Sequence, residues 1–189
     1  MTIASLLEPI TGTPGPIRLA NAQDWMQGRT LYGGASALVA YTMATRAFSD
    51  LPPLRAAQVG FVAPVGEDIE LTAEIVRQGR NVTQVRSEIL SNGKVALTAF
   101  WLFANAREAN AVRAADPPEN WPGAPEDNAQ AMQGQGPSFI QNNFDIRFGQ
   151  SKDGDHGGTI RRWARLTEDH SLAPVSKLVL MGAVMPPGA

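Results

Sequence analysis

Apolar residues along the chain recur first at helical spacing and then at alternate positions, and the change of period marks the elements. After Gly33-Gly34, the residues Ala35, Leu38, Val39 and Met43 share one stripe, with Thr42 its polar member, up to Asp50-Leu51-Pro52-Pro53. This predicts a helix of about four turns with a broad apolar face. Alternation follows. Ala57, Val59, Phe61 and Ala63 interleave with Gln58, Gly60 and Val62, and after a break at Pro64 the residues Ile69, Leu71, Ala73 and Ile75 interleave with Glu70, Thr72 and Glu74. Both runs read as strands with one buried face. Gly79-Arg80-Asn81 reads as a turn and residues 82–90 as a further strand. Asn92-Gly93 predicts a type I′ hairpin, because these residues accept the two positive φ values it needs. Residues 95–104 are apolar on both faces through Leu97, Phe100, Trp101, Leu102 and Phe103, which predicts a central strand.

The second half is less regular. Over residues 107–136 no period survives and Ala, Pro, Asn, Glu and Gln dominate, the composition of a linker that Trp121 could pin to a surface. Phe144, Ile146 and Phe148 then alternate with Asp145, Arg147 and Gly149, a Gly-rich loop occupies 151–158, and 159–166 reads as another strand. Residues 171–185 read as a helix with Pro174 in its first turn, stopped by Pro186-Pro187-Gly188. An extended segment, a helix and a Pro-containing stop thus occur in the same order in both halves. Four strands follow the stop in the first half and none in the second. The pattern predicts an α+β chain of one and a half units: a domain at 1–106, a linker at 107–136 and a partial second domain at 137–189.

Composition removes several classes of function. The 189 residues, 43% hydrophobic, suit one large or two small globular domains. A net charge of −2 argues against a nucleic-acid partner. The absence of cysteine excludes disulfides, zinc-thiolate sites and a cysteine nucleophile. The first residues lack the basic flank and apolar core of a signal peptide, and the longest apolar run, 178–185, falls far short of the roughly 20 residues that span a bilayer. A cytoplasmic protein with no membrane partner is expected.

Candidate chemistry concentrates at the head of the first helix. Gly33 and Gly34 carry no Cβ, so a ligand or another backbone can approach, and the first-turn N–H groups with the positive end of the helix dipole would meet a carbonyl oxygen or an anion. The plain alternative is a small-residue contact between a helix and its neighbour. Tyr32 is the side chain beside the glycine pair that could line a ligand tunnel there. Arg77 and Arg80 flank a turn, where they either meet phosphates or stay solvated. Asp155-His156 suits a solvated Gly-rich turn better than a metal site, and Asp169 or Ser171 suits a helix N-cap better than a catalytic acid. Thr42 is expected to bond a carbonyl one turn back. No metal site and no cofactor is expected.

Taken together, Trp25, Gly28 and Tyr32-Gly33-Gly34 at the helix head, Val59-Gly60-Phe61-Val62-Ala63-Pro64-Val65, Val76-Arg77-Gln78-Gly79-Arg80 at a hairpin and Trp101-Leu102-Phe103 in the last strand resemble the N-terminal half of the acyl-CoA thioesterase II-like double hotdog family. The linker and residues 172–187 resemble the start of its second hotdog. The resemblance spans most of 17–187. It implies a hotdog fold, a long helix wrapped by an antiparallel sheet, doubled in design with the second unit incomplete, and an acyl thioester held between the units. It also implies a carboxylate on the second helix which, with a Thr and a Gln from later strands, positions the attacking water, while helix-terminal N–H groups hold the oxyanion. That acid position falls at Ala183, and no carboxylate follows Asp169. The place where single-hotdog thioesterases carry an acid on the first helix holds Ala40 and Tyr41. The catalytic residues are therefore unassigned, and binding of acyl-CoA or a similar thioester is expected at Tyr32, Gly33, Gly34 and Arg80. The expected function is acyl-thioester hydrolysis, with a non-catalytic acyl-CoA or hydrophobic-ligand binding module as the rival and a cystatin-like cone as the rival fold. Exposed strand edges and an uncovered helix face lead us to expect self-association.

Overall fold

The computed structural model describes residues 2–20, 22–111, 136–148, 162–168 and 171–184. The chain opens with a short helix that the hydrophobic pattern did not announce, α1 (Ile3–Leu7), capped by the Thr2 hydroxyl, which accepts from Ser5 N at 3.1 Å. Next come β1 (Ile17–Leu19), a single 3₁₀ turn at Gln23–Trp25, and the two-residue strands β2 (Met26–Gln27) and β3 (Thr30–Leu31). Between β2 and β3 the chain turns at Gly28 with φ of 65°, a left-handed conformation that glycine adopts without strain.

The expected helix forms as α2 (Gly33–Ala47), followed by β4 (Leu54–Phe61), β5 (Ile69–Gln78), β6 (Val82–Ser91) and β7 (Lys94–Ala104). Asn92 and Gly93 close the β6–β7 hairpin with φ of 53° and 73°, as their residue types predict. The sheet is antiparallel in the order β1-β5-β6-β7-β4, so β7 is interior as expected and β4 is an edge strand. Its outer side is nevertheless not buried: Phe100 is 44% exposed, because the described elements cover only the helix-facing side. On that side Leu97, Ala99, Trp101 and Phe103 join Val85, Ile89 and Leu71 over Leu38, Val39 and Met43 of α2. Each such large aliphatic side chain contributes about 1.5–3 kcal/mol by leaving water. The Trp101 indole N–H is satisfied by Ser87 Oγ at 2.8 Å. A helix wrapped by a curved antiparallel sheet is the hotdog arrangement, and the cystatin-like alternative falls away.

Of the second unit, the described residues hold α3 (Ser138–Asn143), the hairpin β8 (Phe144–Phe148) and β9 (Arg162–Leu166), and α4 (Pro174–Met181). The last helix is shorter than the periodicity predicts. Ser171 has φ of 54°, which no right-handed helix contains, and Pro174, lacking an N–H, takes the first helical position. The N-cap is Ala173, without a side-chain bond, and not Ser171. The linker core with Trp121, the loop with Asp155-His156, the pair Asp169-His170 and Pro186-Pro187-Gly188 lie outside the described residues. No helix among the described residues is long and apolar enough to cross a membrane.

Candidate functional site

The head of α2 and the tail of α4 meet. Tyr32, the N-cap of α2, makes no capping bond to its own helix; its hydroxyl donates to the Leu180 carbonyl at 2.8 Å. That carbonyl lies in the last turn of α4, where no intrahelical donor reaches it. A Cβ added at Gly34 would collide with the same Leu180 carbonyl and stand 2.7 Å from Tyr32 Cε1, so the two helices can be this close only over glycine. At Gly33 a methyl group would stand 3.4 Å from Ala183 Cβ and 3.4 Å from Phe61 Cζ, an ordinary contact. Tyr32, Gly33, Gly34 and Ala183 therefore converge, with Phe61 of β4 beside them.

The junction is braced from both sides. Tyr32 stacks on Phe139 with centroids 4.9 Å apart and meets Phe144 edge-on at 5.6 Å, and Trp25 meets Phe144 at 6.0 Å. Backbone bonds from Leu31 N to Val65 O, 2.7 Å, and from Tyr32 N to Trp25 O, 2.8 Å, hold the approach to the helix. Burial pushes the Tyr32 hydroxyl well above the ordinary tyrosine range, partly offset by a backbone hydrogen bond with Ala183. Tyr32 thus stays a neutral donor throughout the physiological range. The Trp25 indole N–H is buried without a hydrogen-bond partner among the described residues. Chemically, the junction offers first-turn N–H groups at the positive end of a dipole, and the side chain that the end of α4 brings to it at Ala183 is a methyl group.

The other candidates lie elsewhere. Arg80, in the β5–β6 turn, is near the strand end where Val82 pairs with Ala104, whereas Phe61 pairs with Leu97 at the far end of the same sheet. The seven steps from Leu54 to Phe61 amount to about 23 Å at ~3.3 Å per residue. One compact ligand group cannot touch both Arg80 and Gly33. The back-bond expected of Thr42 is made by Thr45, whose hydroxyl donates to Tyr41 O at 3.0 Å. Ala40 is fully buried, and Tyr41 packs edge-on against Trp101 with centroids 5.2 Å apart. Phe61 was legible in the sequence only as a strand residue; nothing local in its pattern joins it to the helix head.

Residues 21–104 match the family described as the acyl-CoA thioesterase N-terminal domain. No curated protein matches the chain by sequence. Among solved structures, a protein of unknown function with a hotdog fold from Alicyclobacillus acidocaldarius superposes with a TM-score of 0.76 at 18% identity, over 99% of this chain and 70% of that one. A candidate thioesterase II from Thermobifida fusca follows at 0.74 and 18%, over 98% and 72%. An acyl-CoA thioesterase II from Mycobacterium marinum gives 0.67 and 16%, over 97% and 68%. Residues 21–104 thus match the acyl-CoA thioesterase N-terminal domain, in a chain that has the hotdog fold.

Proposed function

We propose that the chain binds acyl thioesters, with acyl-CoA the representative ligand, where Tyr32, Gly33 and Gly34 meet Ala183, and that it hydrolyses them slowly. The observation that carries this reading is the meeting of a glycine-headed helix with the end of α4 in a chain whose residues 21–104 match the acyl-CoA thioesterase N-terminal domain. The thioester carbonyl is drawn to Gly33, the half-buried residue of the first turn of α2, where N–H groups and the dipole stabilise a developing oxyanion. Hydrolysis also needs a group that orients or deprotonates water, worth about 10²–10⁴-fold in rate. Over residues 174–184 the polar side chains are Ser176 and Lys177 alone, both on early turns. The Ala183 methyl group accordingly favours a second reading, a cytoplasmic ligand-binding protein that kept the groove and lost the acid. In either reading the chain divides at 107–136, and Arg80 takes part only for a ligand that extends along the strand to bring a phosphate to it.

The test is to measure binding and thiol release with acyl-CoA of several lengths. We expect saturable binding and turnover below about 1 s⁻¹, the lower end of ordinary enzymes. Faster turnover places the catalytic group elsewhere, and absence of binding ends the thioester reading. Gly33→Ala fills the space between Phe61 and Ala183 at ordinary contact distance, so it should weaken binding about tenfold or more while the fold is retained. Ala183→Asp by itself should leave turnover low, because a lone carboxylate does not fix the attacking water.

A further inference from the structure

We propose that the tip of the β5–β6 hairpin is a docking surface for anionic lipid bilayers, separate from the junction at the head of α2. β1 pairs with β5 only at Ile69–Leu71, so the second half of β5 and the start of β6 stand beyond that short edge strand. The turn between them is held by Gly79 N, which donates to Val82 O at 2.8 Å, and by Asn105 N, which donates to Asn81 O at 3.0 Å. Val82 pairs with Ala104 and so lies on the outer side of the sheet with Phe100. Val76 and Val82 are 49% and 41% exposed, and Val76 borders a depression of about 400 Å³ floored by Phe100 and Leu102.

Three exposed arginines rim this apolar tip. Arg77 lies at the end of β5, Arg80 in the turn, and Arg107 two residues beyond Asn105; none forms an ion pair with a described residue. Of the acids nearby in sequence, Glu74 is held by Arg86 at 2.7 Å and Glu108 follows Arg107. Glu67, Asp68 and Glu70 stand where β5 begins, a strand length away, so the net charge of −2 conceals a sheet with a basic end. The depression lies open beside the half-exposed Phe100 and cannot enclose a small ligand as a pocket does. A bilayer needs no enclosure. Aliphatic side chains enter its headgroup boundary while arginines meet the lipid phosphates, and no spanning helix is required. Arg80, too far from Gly33 to share one compact ligand with it, has its partner here.

The experiment is cosedimentation of the chain with vesicles of phosphatidylcholine alone and of phosphatidylcholine with an equal part of phosphatidylglycerol. At low salt the chain should pellet with the anionic vesicles and not with the neutral ones, and added salt should release it. An arginine near an anionic surface is worth about fivefold in affinity, so Arg77→Gln combined with Arg80→Gln should weaken binding about 25-fold and Arg107→Gln alone about fivefold. Val82→Ser should weaken it several-fold by removing an inserted side chain. These positions are exposed, and thermal melting of each variant shows that the fold is kept. Equal binding to both kinds of vesicle, no pelleting at low salt, or undiminished binding in the double arginine variant overturns the proposal. Displacement from the vesicles by single-stranded RNA at equal phosphate concentration overturns it too, by assigning the tip to polyanions in general. The thioester reading stands or falls separately, by acyl-CoA binding at the other end of the sheet.

Discussion

At the head of α2 the two glycines have different reasons to lack a side chain. Gly34 faces the Leu180 carbonyl with no room for a carbon, so Gly34→Val should push α4 away and cost about 1–3 kcal/mol, read as a lower urea midpoint. Gly33 faces only ordinary contacts, so Gly33→Ala should leave that midpoint nearly unchanged. The pair looked like one feature in the sequence; the structure separates a packing residue from a candidate ligand residue. Tyr32→Phe removes the donor to Leu180 and leaves a buried carbonyl unpaired, a loss of about 1–3 kcal/mol near neutral pH. The sign of the pH dependence follows from burial. The folded chain holds the Tyr32 proton more tightly than the unfolded one, so stability is intact below the ordinary tyrosine pKa of about 10 and falls as pH rises above it. Denaturation from pH 8 to 11 should show a steeper alkaline loss in the unaltered chain than in Tyr32→Phe.

Among the elements, those with strong periodicity were legible from sequence and those made by contact were not. The helix at α2, the strands β4 to β7 and the Asn92-Gly93 turn each follow from local patterns, because the apolar stripe and the alternation are properties of consecutive residues. The strands β1 to β3 are too short to show a period and exist because β1 pairs with β5 and β2 with β3. The helix α4 begins late for a local reason, the left-handed Ser171 ahead of Pro174, and it lacks a capping side chain at Ala173. Ala173→Ser should supply that cap and raise stability by about 0.5–2 kcal/mol, seen as a higher melting temperature. No gain would mean that the orphan N–H groups of α4 already have partners.

For the whole molecule, the described residues share one buried cluster that runs from Leu38 and Trp101 under the sheet to Phe139, Phe144, Leu180 and Val184. Two surfaces are left open around it. Among the described residues no strand pairs with the outer edge of β4, and α4 turns Val175 and Leu178 outward, the latter 71% exposed. Such an edge invites another strand, and a charge on it discourages pairing. We expect self-association at micromolar concentration by light scattering and a shift toward monomer in Gln58→Lys, which places a charge on β4; a chain monomeric from the start would count against it. The amino-acid sequence by itself determined that a glycine-headed helix precedes four strands, that a second helix follows a break in pattern, and that no carboxylate accompanies that helix, since periodicity and residue type are local. Only the tertiary structure decided that Leu180 fills the place of a Gly34 side chain, that Tyr32 caps the distant helix, that Phe61 overhangs Gly33 and that Arg80 stands a strand length away. Those relations depend on how elements far apart in the chain pack together, and no spacing within one element encodes them.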